Sequence, residues 1–123
     1  MFEDKILLIT GGTGSFGNAV LGRFIDTSIK EIRIFSRDEK KQDDLRKQLN
    51  NAKVKFYIGD VRDQRSVDNV VNGVDYIFHA AAYKHVPLME KAPYEAIKIN
   101  VNGTKLLADT SSRYNVKKFV FIF

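Results

Sequence analysis

The sequence predicts an α/β fold, a doubly wound parallel sheet with helices on both faces. Three observations carry this. Short apolar runs alternate with segments of helical spacing along the chain. The first run, Ile6-Leu7-Leu8-Ile9-Thr10, has no charge inside it, as a strand buried on both faces requires. It passes at once into Gly11-Gly12-Thr13-Gly14-Ser15-Phe16-Gly17-Asn18, and a helical pattern, Ala19–Ile25, follows.

The later elements repeat the alternation. Ile32–Phe35 reads as a second strand, ended by the polar run Ser36–Lys41. A polar helix follows, with Leu45 and Leu49 one turn apart, its charges forming a solvated face and Asn50-Asn51 stopping it. Val54–Ile58 is a third strand, closed by Gly59-Asp60. Val67, Val70 and Val71 mark a short helix that Gly73 ends. Val74–His79 is a fourth strand, followed by Ala80-Ala81-Ala82 and a loop from Tyr83 to Pro93. A helix is expected from about Tyr94 to Arg113, with Ala96, Ile99, Gly103, Leu106 and Leu107 inward, and then a last strand, Lys118–Phe123. That makes about five strands alternating with four helices, joined by right-handed crossovers.

The 123 residues amount to one domain, and 44% hydrophobic content can fill its core. No apolar run approaches ~20 residues, and the acidic start Met1–Lys5 is not a signal peptide, so no membrane segment is expected. The lack of cysteine excludes disulfides and thiolate metal sites and fits a cytoplasmic setting. The net charge of +5 suits a polyphosphate ligand. The basic residues are dispersed and no basic stripe alternates with aromatics, which argues against nucleic acid.

The glycines fit two registers, Gly12-x-Gly14-x-x-Gly17 and Gly11-x-x-Gly14-x-x-Gly17. The first is a dinucleotide form, the second that of short-chain dehydrogenases. Glycine permits the tight turn, the approach of a pyrophosphate to the backbone, and close helix–strand packing. The helix N-terminus adds unpaired N–H groups and partial positive charge. No Gly-Lys-Ser/Thr follows, so this is not a P-loop. A Rossmann-like dinucleotide site is the expectation.

Ser36 stands about 20 residues on, where an NAD binder places a carboxylate against the ribose hydroxyls. Here Ser36 is followed by Arg37, with Lys41 one turn further, and these can hold a 2′-phosphate. This favours NADP; the alternative is that Asp38 takes the ribose and NAD binds. Asp60 can accept from the adenine amino group beside the Val61 backbone; alternatively it caps a helix, a role for which Asp63 and Ser66 compete better. Ala80, Ala81 and Ala82 leave room for a flat cofactor, or simply pack tightly. Lys84, His85 and Glu90 would face the crevice near the nicotinamide. His79, inside a strand, reads as a satisfied core residue, and no metal-ligand cluster is evident. Tyr94-x-x-x-Lys98 has the spacing of a short-chain dehydrogenase pair. It lies on the helix before strand five rather than after it, so it reads as non-catalytic. Asn100 is expected to bond a neighbouring backbone.

A family resemblance rests on Thr10–Gly17, Ile34–Lys41, Tyr57–Asp63 and His79–Pro87 taken together. With these motifs the chain resembles the cofactor-binding half of bacterial UDP-N-acetylglucosamine 4,6-dehydratases. These are extended short-chain dehydrogenases of capsule, O-antigen and flagellin-sugar synthesis. The resemblance covers essentially the whole chain. Its first part is most similar to capsular-polysaccharide enzymes, and Tyr83–Phe123 to membrane-anchored O-antigen dehydratases. It implies that residues 1–123 form the NADP-binding N-terminal part of a longer nucleotide-sugar dehydratase. In that family NADP takes hydride from C4, water leaves across C5 and C6, and the hydride returns at C6. An Asp-Lys pair after strand five and a Tyr- or Met-x-x-x-Lys element act as acid and base, and some members invert C5.

The resemblance implies that Thr13, Ser15, Phe16, Arg37, Lys41, Asp60, Val61, Ala80, Ala82 and Lys84 line the cofactor, with His85 and Glu90 near the substrate. The family's Ser-Thr-Asp-Lys motif would begin at Phe123, so the expectation is a cofactor half truncated after strand five and inactive alone. A UDP-sugar 4-epimerase half, or a self-standing dinucleotide-binding module without turnover, are the alternatives. Phe119, Phe121 and Phe123 are expected to leave an apolar patch, which predicts a homo-oligomer.

Overall fold

The computed structural model describes residues 2–11, 14–80 and 103–121. Strand β1 (Ile6–Thr10) carries Leu7, Leu8 and Ile9 with no solvent exposure. It reaches this burial by pairing in parallel with β2 (Glu31–Ser36) on one side and β4 (Tyr76–His79) on the other. Strand β3 (Val54–Ile58) pairs with β2, and β5 (Lys118–Phe121) with β4, again in parallel. The order is β3-β2-β1-β4-β5, so the winding reverses between β1 and β4. In an open parallel sheet this reversal opens a crevice beyond the carboxyl ends of the strands.

The period-two alternation divides the core. Leu7, Ile9, Ile32, Ile34 and Val54 face helices α1 (Ser15–Phe24) and α2 (Glu39–Leu49), packing with Val20, Leu21 and Leu45. Leu8, Phe35 and Ile77 face α3 (Gln64–Val71) and α4 (Gly103–Arg113), packing with Val67, Val70, Val71 and Leu107. The expected helix from Tyr94 is seen as α4; its first part, like Ile122 and Phe123, lies outside the described residues. Among the described residues no helix is long and apolar enough to cross a membrane.

The element ends have chemical causes. Asp38 caps α2, its Oδ1 accepting from Lys41 N–H at 2.9 Å, and Asn50 ends it in the left-handed region at φ 42°. Asp63 caps α3 through Ser66 N–H at 3.2 Å, so Asp60 is not the cap. Lys53 Nζ donates to the carbonyls of Ile25 and Thr27, both at 3.0 Å, just past α1. Arg33 Nη1 donates to those of Val70 and Asn72, both at 2.8 Å, at the end of α3. Each cation satisfies carbonyls that a helix end leaves unpaired. Just before β4, Asp75 joins β1 twice, its N–H donating to Ile6 O and its Oδ2 accepting from Ile6 N–H, both at 2.9 Å.

The expected apolar patch on the last strand takes a different form. Phe119 is half-buried and packs into the α3–α4 side of the core, with its ring centroid 6.1 Å from that of His79. Alternation along β5 leaves Lys118 and Val120 exposed, Val120 at 37%. The side chains of Phe121 and Phe123 lie outside the described residues.

Two glycines yield opposite predictions. A Cβ on Gly59 would stand 2.6 Å from Phe35 Cε1 and 2.9 Å from Ser66 Oγ. Gly59→Ala therefore forces overpacking and lowers stability by about 1–3 kcal/mol. Gly22 lies on exposed α1 with nothing within 4 Å of such a Cβ, and Gly22→Ala raises stability by about 0.5–1 kcal/mol. Urea unfolding of both variants checks the pair.

Candidate functional site

The glycine loop leaves β1 at the centre of the sheet, at the reversal of strand order. Gly11 adopts φ 68°, a left-handed conformation that costs an L-residue roughly 1–2 kcal/mol. Its N–H donates to Phe35 O at 3.0 Å, and Gly14 N–H returns to Gly11 O at 3.0 Å, closing a turn. Gly14 is the N-cap of α1 and supplies no side-chain bond, and the first turn holds no acidic residue. The leading N–H groups of α1 are thus uncapped from within and suited to an anion. Gly17 is buried in α1. Gly12, Thr13 and the side chains of Ser15 and Phe16 lie outside the described residues.

Beyond β2, Ser36 is half-buried and its Oγ accepts from Gln42 Nε2 at 2.9 Å. Arg37 extends into solvent with its side chain 59% exposed, and Lys41 is exposed on the first turn of α2. Asp38, the alternative ribose acceptor, is engaged as the α2 cap. Beyond β3, Asp60 holds Arg62. Its Oδ1 accepts from Arg62 N–H at 2.9 Å and Nε at 3.1 Å, and its Oδ2 accepts from Nη2 at 2.7 Å. Arg37 Nη1 stands 3.8 Å from the same Oδ2. Hydrogen bonding from Arg62 holds the Asp60 carboxyl below the usual carboxylate range despite partial burial, and Arg37 adds to this. Val61, 8% exposed, anchors in the core and fixes the backbone beside Asp60.

Beyond β4, Ala80 N–H donates to both Thr10 O and Thr10 Oγ1 at 3.1 Å. His79 is 2% exposed, its Nδ1 2.5 Å from Thr10 Oγ1 and its Nε2 3.0 Å from Thr104 Oγ1. A hydroxyl can donate or accept, so the neutral ring is satisfied in either tautomer. Burial pushes the imidazole down to about 4. It is a core residue, as its place in a strand implies. Ala81, Ala82, Lys84, His85, Glu90, Tyr94, Lys98 and Asn100 lie outside the described residues. Among the described residues no group of three or more His, Cys, Asp or Glu side chains could hold a metal ion.

Three participants were not singled out from sequence: Thr10, Arg62 and Gln42. Gln42 has no solvent exposure although it sits in a helix that reads as polar. Its spacing with Leu45 and Leu49 places all three on one helical face, which is the signal that marks it.

The site thus places an uncapped helix start, donors and a carboxylate at the carboxyl ends of β1, β2 and β3, an arrangement that fits a dinucleotide. Residues 7–123 match the family described as "Polysaccharide biosynthesis protein". The chain belongs to that family. Among polysaccharide biosynthesis proteins and their neighbours, it is 59% identical to a UDP-glucose 4-epimerase of Rickettsia canadensis, over 99% of this chain and 37% of the relative. It is similar to the X-ray structure of Pen from Bacillus thuringiensis, with 37% identity and TM-score 0.93 over 98% of this chain and 37% of that one. A dTDP-glucose 4,6-dehydratase from Streptomyces venezuelae, solved with NAD and TYD bound, shares the fold at 24% identity and TM-score 0.78, over 93% of this chain and 38% of its own. The chain therefore spans little more than a third of the length of these relatives, and the shared part is their Rossmann-like domain.

The buried histidine makes stability depend on pH. In the unfolded chain it charges near 6.5, in the folded protein only near 4. Between those values the unfolded state binds more protons. Stability is full above about pH 6.5 and falls as pH drops toward 4, by up to about 3 kcal/mol. Urea titrations at about pH 7.5 and about pH 5 should show the loss, and His79→Gln should reduce it.

Proposed function

We propose that this chain is the NADP-binding portion of a UDP-N-acetylglucosamine 4,6-dehydratase of surface-polysaccharide synthesis, acting in the cytoplasm. The observation that carries the cofactor choice is the donor chemistry beyond β2. Ser36, exposed Arg37 and exposed Lys41 stand where an NAD binder needs a free carboxylate, and the nearby Asp38 is engaged as a cap. The NAD in the Streptomyces structure belongs to a chain too distant to carry the preference across.

The residues then have these roles. The first turn of α1, with Gly11, Gly12, Thr13, Gly14, Ser15, Phe16 and Gly17, receives the pyrophosphate. Ser36, Arg37 and Lys41 receive the 2′-phosphate. Asp60 and Val61 flank the adenine, and Ala80, Ala81, Ala82 and Lys84 line the rest. His85 and Glu90 approach the sugar, and Asn100 bonds a neighbouring backbone. When bound, the dinucleotide supplies reversible oxidation at C4 of the sugar. The acid and base of the elimination belong to the part of a dehydratase that this chain, 37% of the length of its Rickettsia relative, does not span.

A second reading, a UDP-sugar 4-epimerase, is favoured by the name of the Rickettsia relative. The full-length protein incubated with UDP-N-acetylglucosamine separates the two. A dehydratase yields a keto sugar lighter by one water; an epimerase yields an isomer of equal mass. Failure to turn over either UDP-N-acetylglucosamine or UDP-glucose overturns both.

Arg37→Ala is expected to weaken NADP binding by about 10- to 100-fold and to leave NAD binding nearly unchanged, read by calorimetry. Wild-type protein that binds NAD as tightly as NADP would refute the phosphate assignment. Homo-oligomer formation belongs to the proposal too. Its support is the exposure of two large apolar residues on strands, Ile58 and Val120, among the described residues. Sedimentation of the full-length protein at micromolar concentration should show a dimer or larger species.

A further inference from the structure

A buried polar group in the site has a cost that packing does not explain. Gln42 is fully buried on the inner face of α2. Its Nε2 donates to Tyr57 O at 2.8 Å and to Ser36 Oγ at 2.9 Å, and lies 3.5 Å from Ser36 O. Among the described residues its Oε1 has no hydrogen-bond partner. The orientation is dictated by Tyr57, because a backbone carbonyl can only accept and so demands the amide nitrogen. A buried unpaired carbonyl is unfavourable, and an apolar side chain of the same length would avoid it. The amide's contribution must then lie in what its nitrogen does.

That nitrogen joins two strand ends to one hydroxyl. Tyr57 lies on β3 and Ser36 ends β2. Both Nε2 protons are assigned, one to the Tyr57 carbonyl and one to the Ser36 oxygen. With one lone pair of Ser36 Oγ occupied from inside, its proton is left free to donate outward to a phosphate oxygen. Beside it stands Arg37, whose guanidinium has five donors and no acceptor. A surface dominated by donors suits a phosphate, which only accepts, better than a ribose diol, which must also donate.

We infer that Gln42 is a positioning residue that sets the cofactor preference by holding Ser36 as a hydrogen-bond donor toward the 2′-phosphate of NADP. The inference rests on the NADP reading above and assigns its specificity to a buried residue that does not touch the ligand.

Calorimetry on the full-length protein tests it, with NADP and NAD titrated into wild type, Gln42→Met, Ser36→Ala and the double variant. Methionine keeps the volume and removes both amide functions. The NADP-to-NAD affinity ratio is expected to fall about tenfold in Ser36→Ala and about threefold or more in Gln42→Met. The double variant should match Ser36→Ala alone, because Gln42 acts through Ser36. A purely structural role would weaken both cofactors together and leave the ratio unmoved, which overturns the inference. So does a Gln42→Met effect that persists undiminished in the Ser36→Ala background. If Gln42→Met does not fold, Gln42→Leu takes its place beside Ser36→Ala: an unchanged ratio in either overturns the inference, and a fall in both supports it. Wild type that prefers NAD overturns the NADP reading and this inference together. Wild type that prefers NADP with an unmoved variant ratio overturns this inference alone.

Discussion

The two-sided burial of β1 is the constraint on which the rest depends. Leu7 and Ile9 pack toward one pair of helices and Leu8 toward the other. A strand with no solvent face needs neighbours on both edges and helices on both sides. The chain meets this by placing β2 and β3 to one side and β4 and β5 to the other. The reversal of winding between β1 and β4 follows from that choice, and the crevice follows from the reversal. The glycine loop owes its place to hydrophobic burial, because it is the first chain to leave the most buried strand.

The seam at this reversal is held by side chains as well as by the ladder. Thr10 and His79 are register partners on β1 and β4, and their side chains bond in the core. Thr104 extends the link to α4. Ala80 N–H reaches Thr10 twice. Through one hydroxyl the strand that feeds the glycine loop is fixed to the strand that feeds the alanine run. An imidazole in this position stays neutral at physiological pH, so it adds no charge behind the glycine loop. The charges that matter lie on the surface side. Arg62 and Arg37 both attend Asp60, which holds that carboxylate ionised and leaves the cluster cationic.

Much of the fold was legible because its signals are local. The charge-free run Ile6–Thr10, the helical spacing of Val67, Val70 and Val71, and the cap Asp63 each depend on neighbours within a turn or a strand. Phe119 misled because an apolar residue in a terminal strand can face a helix or open space, and the strand pattern alone does not say which. Gln42 was missed because a glutamine among lysines and aspartates looks solvated; only the face it shares with Leu45 and Leu49 points inward. Asp60 could be read as an acceptor, but the grip of Arg62 on that carboxylate rests on side-chain geometry that sequence spacing does not give.

By itself the sequence determined the alternation of strand and helix, the glycine turn at the end of the first strand and the donor-rich stretch Ser36-Arg37 where a carboxylate would serve NAD. Those follow from backbone conformation and side-chain chemistry over a few residues. Only the tertiary structure decided that a buried amide from α2 holds Ser36, that Arg37 and Arg62 converge on Asp60, and that Thr10 meets His79 across the seam. These contacts bring together groups from different elements, and which groups meet is set by strand order and helix docking, long-range outcomes of burying the whole core at once.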